Sequence, residues 1–169
     1  MIWAIVLAAG ASTRFGEPKQ RLLLPGVLER VRASAVDEIL VVLGAHPVET
    51  DAATVACPQW DRGPGASLRC GVAALPSNAA AAVVVLADGP DLDPRAIDRV
   101  IARWKRNGAD VVAATYRGLR LHPVLLARAA WASIPDDGAR TLDAQLVPCD
   151  DLTPPGDVDY RADLKERRP

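Results

Sequence analysis

Four continuous apolar runs, separated by turn-rich and polar segments, constrain the fold of this chain most strongly. The runs are rich in Val, Ile, Leu and Ala, and they span Ile2–Leu7, Glu38–Leu43, Ala82–Ala87 and Asp110–Thr115. Short runs without polar alternation are typical of strands covered on both faces. The pattern therefore predicts a mostly parallel sheet with helices on both sides.

Helical patterns lie between these runs. The clearest begins at Asp93-Pro94, where Asp can cap and Pro suits the first turn, and Asn107-Gly108 ends it. Further helices are predicted over Val27–Ala35, Ser67–Leu75 and Pro123–Ile134, with a short terminal helix over Arg161–Pro169. Alternating strands and helices predict a three-layer, Rossmann-like α/β fold, and we expect residues 1–169 to form one domain.

Composition narrows the possible functions. The 169 residues are 50% hydrophobic, and 20 basic against 21 acidic residues leave a net charge of -1. This balance gives no general attraction to nucleic acid or to an anionic membrane. The apolar N-terminus lacks the preceding basic residues of a signal peptide, because the first positive side chain is Arg14. We therefore expect a cytoplasmic protein in which Cys57, Cys70 and Cys149 are reduced and mostly buried.

A glycine-containing loop follows the first predicted strand, over Leu7-Ala-Ala-Gly-Ala-Ser-Thr-Arg-Phe-Gly-Glu-Pro-Lys-Gln20. Gly10 and small neighbours allow a sharp turn whose N–H groups can face an anion, while Arg14 and Lys19 add positive charge. Gly10 and Gly16 are six residues apart, with Lys19 three further on. This spacing matches neither a Walker A loop nor a dinucleotide-binding Gly-x-Gly-x-x-Gly motif. The loop predicts a site for a phosphate-bearing ligand, in competition with an ordinary glycine-rich surface turn.

The same loop resembles a known family signature. Its pattern L-A-A-G-x-S-x-R-F-G-x-P-K is similar to that of nucleotidyltransferases of the molybdenum cofactor cytidylyltransferase type, which are related to guanylyltransferases and sugar-nucleotide pyrophosphorylases. Further segments resemble family motifs in the same order: Gly63–Gly71, Leu86–Pro90, Leu121–Leu125, Asp137–Arg140 and Asp157–Asp159. The resemblance implies a nucleotide-diphospho-sugar transferase type of fold.

The resemblance also implies roles for the loop. The nucleotide would be bound by Leu7, Ala8, Ala9, Gly10, Ser12, Arg14, Lys19 and Ser67. In this set the backbone near Ala8 and Ala9 would meet the base and ribose, and Ser67 would reach the base edge. Lys19 would neutralise the attacked α-phosphate, so Lys19, Arg14 and Asp88 are the expected catalytic residues. A Leu-Ala-Ala-Gly loop is associated with cytosine, so Ala9 favours CTP over GTP.

Two aspartates are candidate metal ligands. Asp88 follows an apolar run, where its charge is tolerable only in a cleft or in a pair. By resemblance Asp88 and Asp159 would hold Mg²⁺, which prefers one or two carboxylates together with phosphate oxygens. The competing interpretations are a helix cap for Asp88 and a solvated acidic tail for Asp159.

The resemblance implies transfer of CMP from CTP onto a phosphorylated acceptor, with molybdopterin as the candidate acceptor and release of pyrophosphate. A sugar phosphate or another phosphorylated acceptor, with CTP or GTP, is the nearest alternative. The short first helix, Gly89, Ala66 and Tyr160-Arg161 depart from the family pattern, and they motivate a second alternative, a non-catalytic nucleotide-binding regulator. His46 is expected in a turn and His122 near the acceptor, while Trp60 and Trp104 are expected to be core or cover residues.

Overall fold

The structure, a computed structural model, describes residues 1–165. Its strands are β1 (Ile2–Ala8), β2 (Glu38–Leu43), β3 (Ala53–Ala56), β4 (Ala81–Leu86), β5 (Val111–Tyr116), β6 (Leu119–Ala127) and β7 (Gln145–Pro148). Its α-helices are α1 (Gln20–Arg32), α2 (Pro64–Ala73), α3 (Pro94–Asn107) and α4 (Arg161–Lys165). The remainder of the predicted terminal helix lies outside the described residues.

All seven strands form one sheet in the order β3-β2-β1-β4-β6-β5-β7. The strands pair in parallel except that β6 runs antiparallel to both β4 and β5. The predicted mostly parallel α/β sheet is confirmed. β3 and β7, the two edge strands, carry no long apolar run, which is why the sequence pattern does not indicate them.

Two hydrophobic cores cover the two faces of the sheet. One contains Ala4 and Val6 of β1 with residues of α1 and α3, and the other contains Ile5 with Leu68 and Val72 of α2. Alternate residues of β1 therefore enter opposite cores, as expected for a strand buried on both faces. α1 and α3 lie on one face and α2 on the other.

The helix α3 confirms its sequence signals. The Asp93 side chain accepts a hydrogen bond from the Arg95 N–H at 2.9 Å, and Gly108 ends the helix in the left-handed conformation with φ 62°. The first helix, by contrast, is not the short segment predicted over Val27–Ala35. It already begins at Gln20 and continues through Pro25. One of the departures that motivated a non-catalytic interpretation is therefore absent.

The predicted helix over Pro123–Ile134 is wrong. Residues up to Ala127 belong to β6, and a 3-10 turn follows over Arg128–Ser133. Val124 and Leu125 lie opposite Val84 and Val83 in the antiparallel ladder, where all four are buried. Pairing with a distant strand decides the structure of this segment, and its local periodicity does not reveal that pairing.

The expectation of three reduced cysteines is also wrong. Cys57, directly after β3, and Cys70 of α2 form a disulfide, while Cys149 is a buried free cysteine. The paired residues are 13 positions apart in sequence, but packing of α2 on the sheet brings their Cα atoms to 5.7 Å. Sequence spacing alone does not indicate this proximity.

Candidate active site

A cleft of about 480 Å³ opens beyond the carboxyl ends of β1 and β4. Its lining combines the loop after β1, the start of α2, the end of β4 and Asp159 of the C-terminal segment. In open α/β sheets, ligands bind outside this end of the strands. The cleft brings together most of the residues predicted to bind a nucleotide: Leu7, Ala9, Gly10, Ser12, Arg14, Lys19, Ser67, Asp88 and Asp159. Ala8 instead is buried in the core.

The loop between β1 and α1 is held by its own polar groups. The Ser12 hydroxyl donates to Gln20 Oε1 at 2.8 Å and accepts from the Lys19 backbone N–H at 3.2 Å. Gln20 Nε2 in turn donates to the Gly10 carbonyl at 2.8 Å. His46, expected only as a turn residue, contacts the Ala11 carbonyl through Nε2 at 2.9 Å. Ser12 and Gln20 therefore fix the loop conformation, a role that the sequence did not assign to Gln20.

Lys19 is the centre of the charged part of the cleft. Its ammonium lies 2.9 Å from Asp88 Oδ2 and 3.4 Å from Asp159 Oδ1, and it donates to the Val158 carbonyl at 2.6 Å. The side chain is only 10% exposed, whereas that of Arg14, which contacts Asp159 Oδ2 at 3.2 Å, is 66% exposed. A buried cation thus faces two carboxylates, and an exposed cation contacts one of the same carboxylates.

The carboxylates around Lys19 determine its protonation. Burial alone would lower the pKa of Lys19, but the hydrogen bond to Asp88 and the charges of Asp88, Asp159 and Asp157 together raise it above its ordinary value. Burial and the neighbouring charges of Asp88 and Asp159 raise the pKa of the Asp157 carboxyl. Lys19 is therefore a permanent cation at neutral pH, suited to binding an anion rather than to transferring a proton.

The C-terminal segment places Asp159 in the cleft. The Val158 N–H donates to the Asp88 carbonyl at 3.2 Å, and Val158 itself is buried in a small cluster with Phe15 and Leu23. Asp163 then accepts hydrogen bonds from the backbone N–H groups of Asp159 and Tyr160 at 2.9 and 2.8 Å. The segment is thus docked onto the loop, although Tyr160-Arg161 departs from the family pattern.

The other part of the cleft is formed by α2 and the turn before it. Ser67, buried at 4% exposure, and the neighbouring Trp60, Asp61, Gly63 and Pro64 line this region. Trp60 packs against the core on the α2 face of the sheet, as expected for a core or cover residue. Its additional place in the cleft lining is a feature that sequence reasoning missed. Its signal in the sequence is its place four residues before the Pro64 that begins α2.

A second cavity of about 240 Å³ lies next to the cleft and shares Leu86 with it. Gly89, Leu121, the turn at residues 154–156, His122 and Asp157 contribute to its lining. Burial lowers the pKa of His122 to about 4 in spite of the nearby Asp88 charge. His122 is therefore neutral at physiological pH, and the cavity is largely apolar.

Among the described residues, there is no group of three or more His, Cys, Asp or Glu side chains that could hold a metal ion. Asp88 and Asp159 are a pair of carboxylates, and both contact the same ammonium nitrogen. Their oxygens can therefore approach one cation, and the Lys19 ammonium stands in for that cation here. Two carboxylates completed by phosphate oxygens and water match the preference of Mg²⁺.

Comparison with known proteins supports a common family. Rv0371c from Mycobacterium tuberculosis H37Rv is 26% identical, with a TM-score of 0.80 over 98% of this chain and 96% of that one. Its complex with manganese superposes with a TM-score of 0.74 at 24% identity, covering 98% and 96% of the two chains. CMP:2-keto-3-deoxy-manno-octonic acid synthetase complexed with CTP, at 12% identity, shares the fold with a TM-score of 0.77 over 98% and 95%.

No curated protein sequence matches the chain. Within residues 1–165, none of the helices is long and apolar enough to cross a membrane. The MobA-like NTP transferase domain model matches residues 4–148, which include most of β1, its loop, α2 and Asp88. The chain therefore belongs to the family of MobA-like NTP transferase domains, a family of nucleotidyltransferase type.

Proposed function

We propose that this protein transfers CMP from CTP onto a phosphorylated small molecule and releases pyrophosphate. The observation that carries the proposal is the position of Lys19, whose buried ammonium contacts Asp88 and Asp159 beside the loop after β1. A permanent cation next to two potential metal ligands is what transfer between phosphate groups requires, because negative charge must be neutralised at the reacting phosphorus.

In the proposed reaction, a phosphate oxygen of the acceptor forms a bond to the α-phosphorus of CTP. The bond between the α-phosphorus and the oxygen bridging to the β-phosphate breaks, and pyrophosphate leaves. Lys19 neutralises the α-phosphate, and the exposed Arg14 binds the leaving β- and γ-phosphates. The attacking oxygen is already anionic, so no side chain needs to remove a proton from it.

Asp88 and Asp159 would hold a divalent cation, with Mg²⁺ as our proposal. Such a cation would supply positive charge that stabilises the negative charge developing at the reacting centre. Manganese in the crystals of the Rv0371c protein, a relative at about one quarter identity, supports a divalent cation of this type. For the cation to bind between the two carboxylates, the Lys19 ammonium must leave that position, and the α-phosphate is the anion that would receive it.

The preference for CTP rests on Ala9, which lines the cleft and whose methyl group would crowd a larger purine. The synthetase complexed with CTP shares the fold, so this sheet architecture can accept that nucleotide in a distant relative. We propose Ser67, on the opposite wall of the cleft from Lys19, as the contact to the base edge.

We propose the second cavity as the place of the acceptor. Its described lining contains no Lys or Arg, and His122 is neutral there, so the acceptor phosphate would lie in the cleft beside the α-phosphate of CTP and not in this cavity. The cavity would hold the body of the acceptor by shape and apolar contact. Molybdopterin is our candidate because of the family resemblance, and a sugar phosphate is the alternative.

Access to CTP and phosphorylated metabolites supports a cytoplasmic location as part of the proposal. The Cys57–Cys70 disulfide argues in the other direction, since disulfides are rare in reducing compartments. Trapping of free thiols in rapidly quenched cells decides between the two: an intact Cys57–Cys70 disulfide would contradict the cytoplasmic location, and free thiols at both positions would support it.

The test is a panel of the four NTPs with Mg²⁺ or Mn²⁺, read out as pyrophosphate release with and without added acceptors. We expect release only with CTP, a divalent cation and a phosphorylated acceptor such as molybdopterin. Transfer from GTP would correct the base, and transfer to a sugar phosphate would correct the acceptor. Tight CTP binding without transfer to any phosphorylated acceptor would favour a non-catalytic regulator.

A further inference from the structure

Trp60 is a large aromatic side chain in the lining of the cleft, next to Asp61 and close in the chain to Ser67. The cleft lies between elements from opposite faces of the sheet: the loop before α1 carries the cations Arg14 and Lys19, whereas Trp60 and α2 belong to the other face. Trp60 is therefore on the wall across from Lys19 and Arg14. The cleft wall across from the two cations thus carries a large aromatic side chain and no cationic group among the described residues of its lining.

The position of Trp60 is fixed by tight packing. Gly44, directly after β2, has no room for a side chain, because a Cβ there would be 2.5 Å from the Trp60 Cβ and 2.6 Å from the Ala9 carbonyl oxygen. Gly44 thus allows Trp60 and the backbone of Ala9 to approach each other. The indole of Trp60 is consequently a neighbour of the Ala9 region that we propose for the base, and Gly44 lies between them.

The backbone around Trp60 is anchored as well. Its N–H donates to the Cys57 carbonyl at 3.3 Å, and Cys57 is bonded to Cys70 of α2. The Trp60 carbonyl accepts from the Gly63 N–H at 3.3 Å. A rigid aromatic side chain loses little conformational freedom when a flat ligand covers it.

We infer that Trp60 binds the nucleobase by stacking, as a platform on the wall of the cleft opposite the phosphate-binding groups. The inference rests on the proposed function, since it takes the ligand to be a nucleoside triphosphate, but it does not depend on which base is bound. Stacking is tolerant of base identity because every base has a π-face.

The experiment compares calorimetric binding of CTP, GTP and inorganic tripolyphosphate, each with Mg²⁺, to the wild type, Trp60→Ala and Trp60→Phe. We expect Trp60→Ala to bind the preferred NTP roughly 5- to 150-fold more weakly, while Trp60→Phe keeps most of the affinity. Binding of tripolyphosphate should be the same in all three proteins. Trp131→Ala, at another half-buried tryptophan packed against the same core, is the matched control and should leave NTP binding unchanged.

Fluorescence gives a second test, which does not require the Trp60→Ala variant to fold. NTP should quench the tryptophan emission of the wild type and not that of Trp60→Phe, in which Trp3, Trp104 and Trp131 remain. Three results would each overturn this inference without affecting the proposed function. They are equal NTP affinity in wild type and Trp60→Ala, equal quenching in wild type and Trp60→Phe, and a loss of tripolyphosphate binding in Trp60→Ala as large as its loss of NTP binding. A wild type that binds no NTP overturns the proposed function and this inference with it.

Discussion

The cleft and the second cavity are neighbours that share Leu86, yet their chemistry is opposite. In the cleft, Lys19 contacts two carboxylates within 3.4 Å and stays charged. In the second cavity, burial keeps His122 neutral with a pKa of about 4, and apolar groups dominate. Charge is concentrated where a triphosphate would react, whereas the described lining where an acceptor body would bind contains Asp157 but no Lys or Arg. The comparison suggests that the two substrates are recognised by different forces, electrostatic in the cleft and steric in the cavity.

The strongest test of the charged cleft is Lys19→Ala. Because the ammonium is proposed to neutralise the reacting phosphate, turnover should fall about 100- to 1000-fold, comparable to loss of one strong transition-state donor. Steady-state kinetics with CTP and Mg²⁺ measure the effect. Lys105→Ala, at an exposed lysine of α3, should be close to wild type. Near-wild-type turnover in a folded Lys19→Ala protein would remove Lys19 from the mechanism.

Asp88→Asn separates metal binding from structure. Loss of the carboxylate charge should lower metal-dependent turnover by roughly 100-fold, and more metal should be needed for half-maximal rate. Since Asp88 pairs with the buried Lys19 and is not an isolated charge, the metal-free variant should also lose about 1 kcal/mol of stability. Titration of Mg²⁺ and chemical unfolding measure both effects.

Asp143→Asn, at an exposed aspartate away from the cleft, is the control for Asp88→Asn. A helix-cap role for Asp88 would give a different outcome, because Asn caps about as well as Asp. Unchanged activity and stability in Asp88→Asn would favour that interpretation, although the cap of α3 in the structure is Asp93.

The neutral cavity predicts a pH dependence of stability. The pKa of His122 is lowered to about 4, whereas an unfolded histidine titrates near 6.5. Between these pH values the unfolded chain binds more protons than the folded protein. The contribution of neutral His122 to the free energy of unfolding is therefore complete above about pH 6.5 and is lost as the pH falls toward 4. The loss of stability should be on the order of 3 kcal/mol, since one pKa unit corresponds to about 1.36 kcal/mol. Urea unfolding of the wild type and His122→Gln from pH 7 to 4 should therefore show a flatter curve for the variant, and parallel curves would mean that His122 is readily protonated.

The smallest expected effect concerns the base. If the methyl group of Ala9 crowds a purine, Ala9→Gly should improve GTP binding relative to CTP by roughly tenfold or less. Competition binding with both nucleotides measures the ratio in the wild type and the variant. A wild-type preference for GTP would show that the association of this loop with cytosine does not hold here.

Residue patterns within single segments of the sequence predicted the elements whose structure depends mainly on those same residues. The apolar runs of β1 and β4 gave buried strands, and Asp93-Pro94 with Asn107-Gly108 bounded α3. Because a loop that ends a buried strand must lie at the strand's carboxyl end, the neighbourhood of Gly10, Lys19 and Asp88 was also predictable.

Long-range packing decided what the sequence could not indicate. Val124 and Leu125 fit a helix or a strand equally well until they pair with β4. The Cys57–Cys70 disulfide and the position of Trp60 in the cleft both depend on how α2 packs against the sheet. The pairing of Asp88 with Lys19 likewise joins two segments 69 positions apart in the chain.

The most direct test of the central claim is a crystal structure with a non-hydrolysable CTP analogue and Mn²⁺, using anomalous scattering to locate the metal. The account predicts one Mn²⁺ held by Asp88 and Asp159, with the Lys19 ammonium moved from these carboxylates onto the α-phosphate. A nucleotide bound in the cleft while Lys19 remains on Asp88 and Asp159, with Mn²⁺ elsewhere or absent, would contradict it.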